Sequence, residues 1–412
     1  MSKIFEKVLA NQIHTHINTQ SIFPSSLMGC RSGHSTTSAL LLMKDACLKS
    51  IKSSQISILT MADFSKAFDT LNHSKLLNIL ANHQFSNSSI DLLSSYLSDR
   101  SQYINYQTTS TATINISSGV PQGSILGPIL FNIYTLDLNK QLNTECSTTT
   151  SYVDDIQFLY SDQPSNIQNI IQKTSQSLIS LQKNSKNLDL ILNKTKTKFM
   201  YIGSKHILKK FSNTLPSTIN LNTDSISSTD NHKNLGIIFD NNLNFDLHHQ
   251  NVIKSCYSTL YHLNSLKYNI PTKQKSTLIK SLIISKLHYA DLVTFPLNTY
   301  WHKKYFKVIK TSLSFIHNKY ISTSDIHNYN FLSPNNVFNL NLICAAYKSL
   351  YSICSPLNLQ LNLVEPGSYA LRSQDAPRIM YKDQNLKTYA TQAATAFNSY
   401  PNHPWHPKLS SF

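Results

Sequence analysis

Apolar side chains recur at three- and four-residue steps at Ile4, Phe5, Val8, Leu9, Ile13 and Ile17, which predicts an amphipathic helix over the first twenty residues. No capping residue precedes it. A loop over 28–36, containing Gly29 and Gly33, leads to a second helix through Leu40, Leu41, Met43 and Leu48. Residues 55–62 then form a β-like run that ends at Asp63, and from Ser65 the pattern turns helical through Ala67, Phe68, Leu71, Leu76, Leu77 and Leu80. A strand-to-helix junction is therefore expected to carry an acid at its tip.

Farther along, residues 119–127 hold three of the eight glycines before an apolar helix through Leu130, Phe131 and Ile133, so the backbone there must turn tightly or approach something closely. Tyr152-Val153-Asp154-Asp155-Ile156-Gln157-Phe158 is apolar on both sides of two acids, the pattern of a β-hairpin with the acids at its turn. A helix is predicted near 165–185, followed by the basic stretch 193–198. Residues 205–232 are rich in Ser, Thr and Asn and read as a loop or weak hairpin, ending in a short strand over 234–240 with Gly236 inside it. From about 247 the periodicity is helical, with a second helix starting at Pro271 and a third carrying Lys303, Lys304, Lys307 and Lys310. No repeat of solenoid period is present.

Charge changes this picture. Lys and Arg number 37 against 21 Asp and Glu, a balance of +16 that excludes an acidic tail and points to a polyanionic partner. Charged residues are 14% of the chain, against roughly 25% in an average soluble protein, so each acid is informative. Six dispersed cysteines, Cys30, Cys47, Cys146, Cys256, Cys344 and Cys354, form no CxxC pair and no zinc spacing, which suits reduced thiols. No signal-like h-region and no apolar run of about 18 residues occurs, so the expected location is intracellular, nucleus or cytoplasm, with no membrane partner and no secretion.

Asp154-Asp155 is the one pair of adjacent acids in the chain. Such a pair repels itself unless a cation sits between its oxygens, and hard ions such as Mg²⁺ take carboxylates. With Asp63 from another strand, three converging carboxylates would hold two metals for displacement at phosphorus. For Asp63 alone the bland reading is a solvated loop acid, and for the glycine cluster it is an ordinary turn. The lysines between 254 and 310 are read as contacts to a phosphate backbone, with solubilisation as their plain alternative. Paired histidines, His14 with His16 and His248 with His249, lack metal spacing and are expected at the surface or in loops.

In this order, the segments resemble the reverse transcriptase of non-LTR (LINE-type, jockey-like) retrotransposons. Residues 61–73, Met-Ala-Asp-Phe-Ser-Lys-Ala-Phe-Asp-Thr-Leu-Asn-His, are similar to its first palm motif, and Ser118-Gly119-Val120-Pro121-Gln122-Gly123-Ser124-Ile125-Leu126-Gly127-Pro128 to its second. Tyr152-Val153-Asp154-Asp155 resembles its catalytic hairpin, residues 193–198 the next motif, and Asn234-Leu235-Gly236 the primer grip. Residues 95–102 and 393–401 also fit.

The resemblance implies an α+β right-hand polymerase that extends a DNA primer on an RNA template with deoxynucleoside triphosphates and two Mg²⁺ ions, Mn²⁺ being the alternative. Partial fingers would span 1–51 and a palm 52–204, with a fingers-like helical insertion over about 75–117. A primer-grip hairpin and linker would follow over 205–245, a helical thumb over 246–330, and a helical C-terminal region over 331–412. Asp63 and Asp154 would ligate both metals, with Asp155 beside them as a weaker ligand, and Lys196 would be the proton donor to pyrophosphate, with Lys194 and Lys198 as alternatives for that position. Arg31, Phe68, Gln122 and Gly123 would contact the nucleotide, Phe68 by blocking a ribose 2′-hydroxyl. Leu235 and Gly236 would grip the primer, and Lys303, Lys304, Lys307 and Lys310 would track the nucleic-acid backbone.

Three departures from the pattern stand out. The chain starts inside the first fingers helix, without the earlier fingers motifs or an upstream endonuclease, so DNA nicking is not expected of it. Cys30 replaces the usual aromatic, and Val153 the commoner Ala. The rival readings are a catalytically inactive nucleic-acid-binding remnant and an RNA-synthesising polymerase; Phe68 argues against the second.

Overall fold

A computed structural model of the chain describes residues 1–351, apart from 108, 222–223, 323–325, 327–328 and 330–331, together with 362–364, 378–380 and 388–398. Cys354 and the last three residues of the 393–401 motif lie outside the described residues. The chain divides into two compact units, Met1–Asp230 and Asn231–Phe412.

The first unit opens with helices α1 (Ser2–Thr19) and α2 (Thr36–Lys52). α1 has no side-chain cap, whereas Ser35 and Ser38 close a reciprocal capping box on α2 that satisfies otherwise orphaned backbone donors. Next come β1 (Ile56–Ala62) and the two-residue β2 (Phe64–Ser65). The helix expected from Ser65 begins only at α3 (His73–Asn82). Phe64 and Ser65 are drawn into pairing with a later strand, Lys66 takes a left-handed φ of 49°, and Asn72 caps the helix by accepting from the Lys75 amide. Residues 66–71 are consequently a turn.

Helix α4 (Asn87–Leu97) follows, and then the strands β3 (Arg100–Gln102), β4 (Asn105–Tyr106), β5 (Thr109–Ser110) and β6 (Ile114–Ile116), paired β3 with β6 and β4 with β5. The insertion over 75–117 is thus helical only in its first half. Its second half is β-branched and hydroxyl-rich, a composition that favours strands. Helices α5 (Leu126–Tyr134) and α6 (Leu136–Glu145) lead to the hairpin of β7 (Thr148–Tyr152) and β8 (Asp155–Asp162). Then come α7 (Ile167–Asn187), β9 (Ile191–Leu192), which pairs with β2, and β10 (Lys198–Ile202).

The four-stranded sheet has the order β10-β1-β8-β7, antiparallel throughout. All seven residues of β1 are buried, which explains its continuous apolar reading: α2 and α7 both pack on this strand, so neither of its faces meets water. The buried hydroxyls of Ser50 on α2 and Ser57 on β1 hydrogen-bond to each other, and Ser57 also to the partly buried Ser161 on β8.

The segment read as a loop or weak hairpin holds helix α8 (Lys205–Phe211), capped by Ser204, and a hairpin of β11 (Thr218–Leu221) with β12 (Asp224–Ser227). Seven residues with two adjacent lysines at their end carry too little apolar periodicity to announce a helix. This hairpin belongs to the first unit, where Ser175 donates to the Asn220 carbonyl and Tyr201 to that of Pro216. The stretch expected as one linker over 205–245 is therefore divided between the two units.

The second unit begins with a hairpin of β13 (Asn231–Asn234) and β14 (Ile237–Asp240). Gly236 sits in its turn, with Leu235 at φ 43° and Gly236 at φ 89°, and not inside a strand as the sequence suggested. Helices α9 (Asp246–Asn264), α10 (Thr272–Ile279), α11 (Ser285–Leu287), α12 (Asp291–Thr294) and α13 (Thr299–His317) follow, with a π-helical turn between α10 and α11. His248 and His249 are buried on α9, contrary to their expected surface position. His249 Nδ1 lies 2.9 Å from the Tyr305 hydroxyl, among Phe295 and Trp301. Burial holds both imidazoles near pKa 4, so they are neutral at pH 7. Helix α14 (Pro334–Tyr351), the paired strands β15 (Asn362–Val364) and β16 (Arg378–Met380), and α15 (Tyr389–Asn398) complete the described chain. The C-terminal region is thus not wholly helical.

The α+β class expected from the sequence is what the structure shows. Among the described residues no helix is long and apolar enough to cross a membrane.

Candidate active site

Antiparallel pairing of β1 with β8 sets Ala62 opposite Ile156, so one further step brings Asp63 level with Asp155. Across the neighbouring hairpin Tyr152 pairs with Asp155, leaving Val153 and Asp154 as a two-residue turn. Val153 sits at φ 60°, a left-handed conformation that is strained for a β-branched residue. Backbone register alone therefore gathers the three acids at one end of the sheet.

Asp63 is fixed from both sides by the turn before β10. Its carbonyl accepts from the Asn193 amide at 2.8 Å, and its own amide donates to Thr197 Oγ1 at 3.3 Å. Asn193 Oδ1 in turn accepts from the Lys196 amide at 3.2 Å and the Thr195 hydroxyl at 2.8 Å. The result aims Lys196 at the acids, with Nζ 3.4 Å from Asp63 Oδ2. Lys194 instead pairs with Asp224 at 2.5 Å, and Lys198 donates to Ser227 Oγ at 2.7 Å. Of the three lysines left open by the sequence, Lys196 is the one directed at the site. Asn193 and Thr197, which make this placement, were overlooked because the stretch was read for its lysines.

Electrostatics mark the same place. Desolvation, the Asp154 charge and then the Asp63 charge push the Asp155 carboxyl up to about 6, with Lys196 opposing. Asp154 is raised as well, chiefly by burial and next by Asp63. Asp63 Oδ2 is buried and, apart from the 3.4 Å ion pair with Lys196, makes no hydrogen bond. Crowded carboxylate oxygens short of donors suit a hard divalent cation, which prefers oxygen ligands. Among the described residues, however, no group of three or more Asp, Glu, His or Cys side chains is arranged to hold a metal ion. The three converging carboxylates expected from the sequence thus do not by themselves form a metal site among the described residues.

The turn over 66–71 meets the glycine-containing turn that begins at Gly119. Val120 donates to the Phe68 carbonyl at 2.9 Å and Gly119 to that of Leu71 at 2.7 Å. A Cβ on Gly119 would lie 2.8 Å from the carbonyl oxygens of Phe68 and Asp69, and its φ is 83°, so glycine is required twice over. Gln122 Nε2 donates to Asp69 Oδ1 at 3.3 Å, while Gly123, at φ 77°, faces open space. Phe68 is half-buried and packs on Phe131 with ring centroids 5.1 Å apart, so it is also a core aromatic. α1 reaches this turn as well: Glu6 Oε2 accepts from the Ile125 amide at 2.6 Å, and Lys3 donates to the Gly123 carbonyl. Arg31 donates to the Pro24 carbonyl at 3.0 Å.

In the second unit, the Leu235 carbonyl accepts from the Tyr289 hydroxyl at 2.7 Å, and a Cβ on Gly236 would lie 2.9 Å from the Tyr289 ring. Lys303, Lys304 and Lys307 are exposed on α13. Lys304 lies over Tyr300, and Lys310 over Tyr320.

The profile of one protein family, described as reverse transcriptase (RNA-dependent DNA polymerase), matches residues 1–239, more than half of the chain, including the three acids, Lys196 and the glycine turn at 119–123. The chain belongs to the reverse transcriptase family. A probable RNA-directed DNA polymerase from transposon BS of Drosophila melanogaster is 27% identical over 65% of this family member and 29% of that protein. The RNA-directed DNA polymerase from mobile element jockey of the same fly is 24% identical over 61% of the chain and 27% of its own length. This reverse transcriptase-family chain thus spans between a quarter and a third of those relatives. An apo telomerase structure from Candida tropicalis aligns with 57% of the chain and 45% of its own at 16% identity and a TM-score of 0.38, too slight a likeness to bear on the fold.

Proposed function

We propose that this chain is the polymerase module of a non-LTR retrotransposon and that it extends a DNA primer on an RNA template with deoxynucleoside triphosphates. The observation that carries the reading is the meeting of Asp63, Asp154 and Lys196 at one sheet end, inside the segment that matches the family.

Asp63, Asp154 and Asp155 would hold divalent ions, Mg²⁺ by the hardness of their oxygens and two in number by the need to serve attacking and leaving oxygens. Bound there, the ions would supply Lewis-acid activation of the primer 3′-hydroxyl and neutralise triphosphate charge. Lys196 would give a proton to the departing pyrophosphate oxygen, a role supported by its 3.4 Å ion pair with Asp63. Phe68 would exclude a ribose 2′-hydroxyl, a role supported by its packing on Phe131 and by the Val120 amide that holds its carbonyl. Arg31 would serve the triphosphate, with Gln122 and Gly123 beside the incoming nucleotide. In the second unit, Leu235 and Gly236 would contact the primer.

Electrostatics of the second unit favour a phosphate backbone as partner. Between residues 247 and 324 there are eleven lysines and a single acid, Asp291, which is buried against His288 and Asn341. Asp246, just before this stretch, is exposed and accepts from Trp301 Nε1 on α13, so the solvent face offers many cations against few carboxylates.

Primer extension on an RNA template tests the reading, with deoxynucleotides compared against ribonucleotides and an Asp154→Asn control. Magnesium-dependent extension with deoxynucleotides that disappears in the control is expected. Binding to template and primer with no extension would replace the reading with a binding remnant, and preferred incorporation of ribonucleotides would replace it with an RNA polymerase.

A further inference from the structure

We propose that segment 26–29, seated by the buried amide of Asn132, is a clamp that holds the Val153 turn and keeps Asp154 and Asp155 aimed at the site. The inference rests on the assignment of that pair to metal binding.

β7 is the edge strand of the sheet, and 26–28 is laced along it: Ser151 donates to the Ser26 carbonyl at 2.9 Å, and Met28 donates to the Ser151 carbonyl at 2.8 Å. Leu27 and Ser151 form a parallel bridge. The following residue, Gly29, lies directly on the turn. A Cβ at Gly29 would stand 2.6 Å from the Val153 amide nitrogen and 2.7 Å from Val153 Cγ2, so no other residue fits without displacing backbone. The Gly29 carbonyl accepts a 2.7 Å hydrogen bond from Asn132 Nδ2. Asn132 sits on α5 and is 1% exposed.

Two costs in this arrangement call for an explanation. Val153 holds a left-handed φ that an isolated hairpin with a β-branched residue would abandon. Asn132 buries an amide whose Oδ1 has no partner, although leucine at that place would avoid the penalty of an unmet acceptor. Both are explained if the amide exists to fix the Gly29 carbonyl, Gly29 to press on Val153, and Val153 to set the angle at which the two acids leave the turn. Asn132 is on this view a positioning residue that acts through Gly29 and touches no substrate. The glycine of the loop before α2 gains a structural reason from the same contact.

The test compares wild type, Asn132→Leu and the double variant Asn132→Leu/Val153→Gly. Glycine reaches the turn conformation unaided, so it should make the clamp dispensable. Amide hydrogen exchange over residues 151–156 and Mn²⁺ binding followed by electron paramagnetic resonance are measured beside thermal melting. In Asn132→Leu, exchange of these amides should quicken about tenfold and Mn²⁺ affinity fall by about tenfold, the equivalent of one net hydrogen bond. Both should return towards wild type in the double variant. Wild-type exchange and Mn²⁺ affinity in Asn132→Leu would overturn the proposal, as would a loss that Val153→Gly does not restore, which would mark Asn132 as an ordinary packing residue. A wild-type chain that binds no Mn²⁺ would remove the metal reading itself, and the exchange comparison would still judge the clamp.

Discussion

Removing one carboxylate from the site should stabilise the metal-free protein. Asp155 heads β8, and its carboxyl is pushed up to about 6 first by desolvation and then by Asp154 and Asp63. A raised acid favours folding fully only below its unfolded value, near 3.9, and that advantage is lost as pH climbs through about 6. At pH 7.5 the folded chain therefore carries a charge that the unfolded chain accommodates better. Two pKa units correspond to about 3 kcal/mol, and partial solvent screening reduces this to about 1–2 kcal/mol. Asp155→Asn should accordingly raise the melting temperature of the first unit by about 2–8 °C in EDTA at pH 7.5 and hardly at all at pH 4. Adding Mg²⁺ should narrow the gap, because the ion stabilises the wild-type carboxylates and the variant less. Calorimetric scans of both proteins at the two pH values measure this. A variant equally or less stable at pH 7.5 in EDTA, or a difference identical at both pH values, would refute the electrostatic account.

Lys196→Ala should lower kcat about 100-fold or more in primer extension while Lys194→Ala and Lys198→Ala stay close to wild type, since the latter two lysines face Asp224 and Ser227. Phe68→Ala should let ribonucleotides be incorporated alongside deoxynucleotides; unchanged discrimination would leave Phe68 as core packing only. Gly119→Ala should cost about 2 kcal/mol or more in a denaturant titration, because its Cβ meets two carbonyl oxygens and its φ is left-handed. Lowering the pH from 7 to 5 should destabilise the second unit by about 2 kcal/mol for each of His248 and His249, whose folded values near 4 lie below the ordinary 6.5. The stabilising effect of these neutral imidazoles is complete above pH 6.5 and disappears towards 4. In His249→Phe the pH slope should be about half that of wild type, which stability curves at several pH values would show.

Much of the first unit could be read from spacing. The buried strand ending at Asp63, the hairpin around Asp154-Asp155 and the glycine turn at 119–123 each combine an apolar pattern with a residue that marks its end, an acid in the first two and glycine, free to take positive φ, in the third. Where the reading slipped, tertiary contact had overruled local pattern. Residues 65–71 have helical periodicity, yet Phe64 and Ser65 pair with β9 and the Phe68 and Leu71 carbonyls are taken by Val120 and Gly119. His248 and His249 look polar in sequence, but α9 buries both, His249 among Tyr305 and Phe295 and His248 facing the Ile238 amide, and burial keeps them neutral. Residues 234–240 read as one strand with Gly236 inside it, whereas Gly236 forms the turn between β13 and β14.

Within the site the acids were legible and their supports were not. Asp154-Asp155 announced itself by repulsion in a chain poor in acids. Asn193, Thr197 and Asn132 are single polar residues whose purpose appears only when their partners, distant in sequence, are in place. The choice among Lys194, Lys196 and Lys198 likewise depended on which residues face each lysine across the fold, information that a run of alternating lysines does not contain.

Convergence of Asp63 with the hairpin acids on shared metal is most directly tested by iron-directed backbone cleavage. Fe²⁺ replaces Mg²⁺, ascorbate and peroxide generate hydroxyl radicals at the bound ion, and the fragment ends are mapped by mass spectrometry. Cuts should appear together near residue 63 and near residues 154–155, and both sets should vanish with excess Mg²⁺ or in either Asp63→Asn or Asp154→Asn. Cuts at one segment only, or cuts at both that survive these substitutions, would contradict the account.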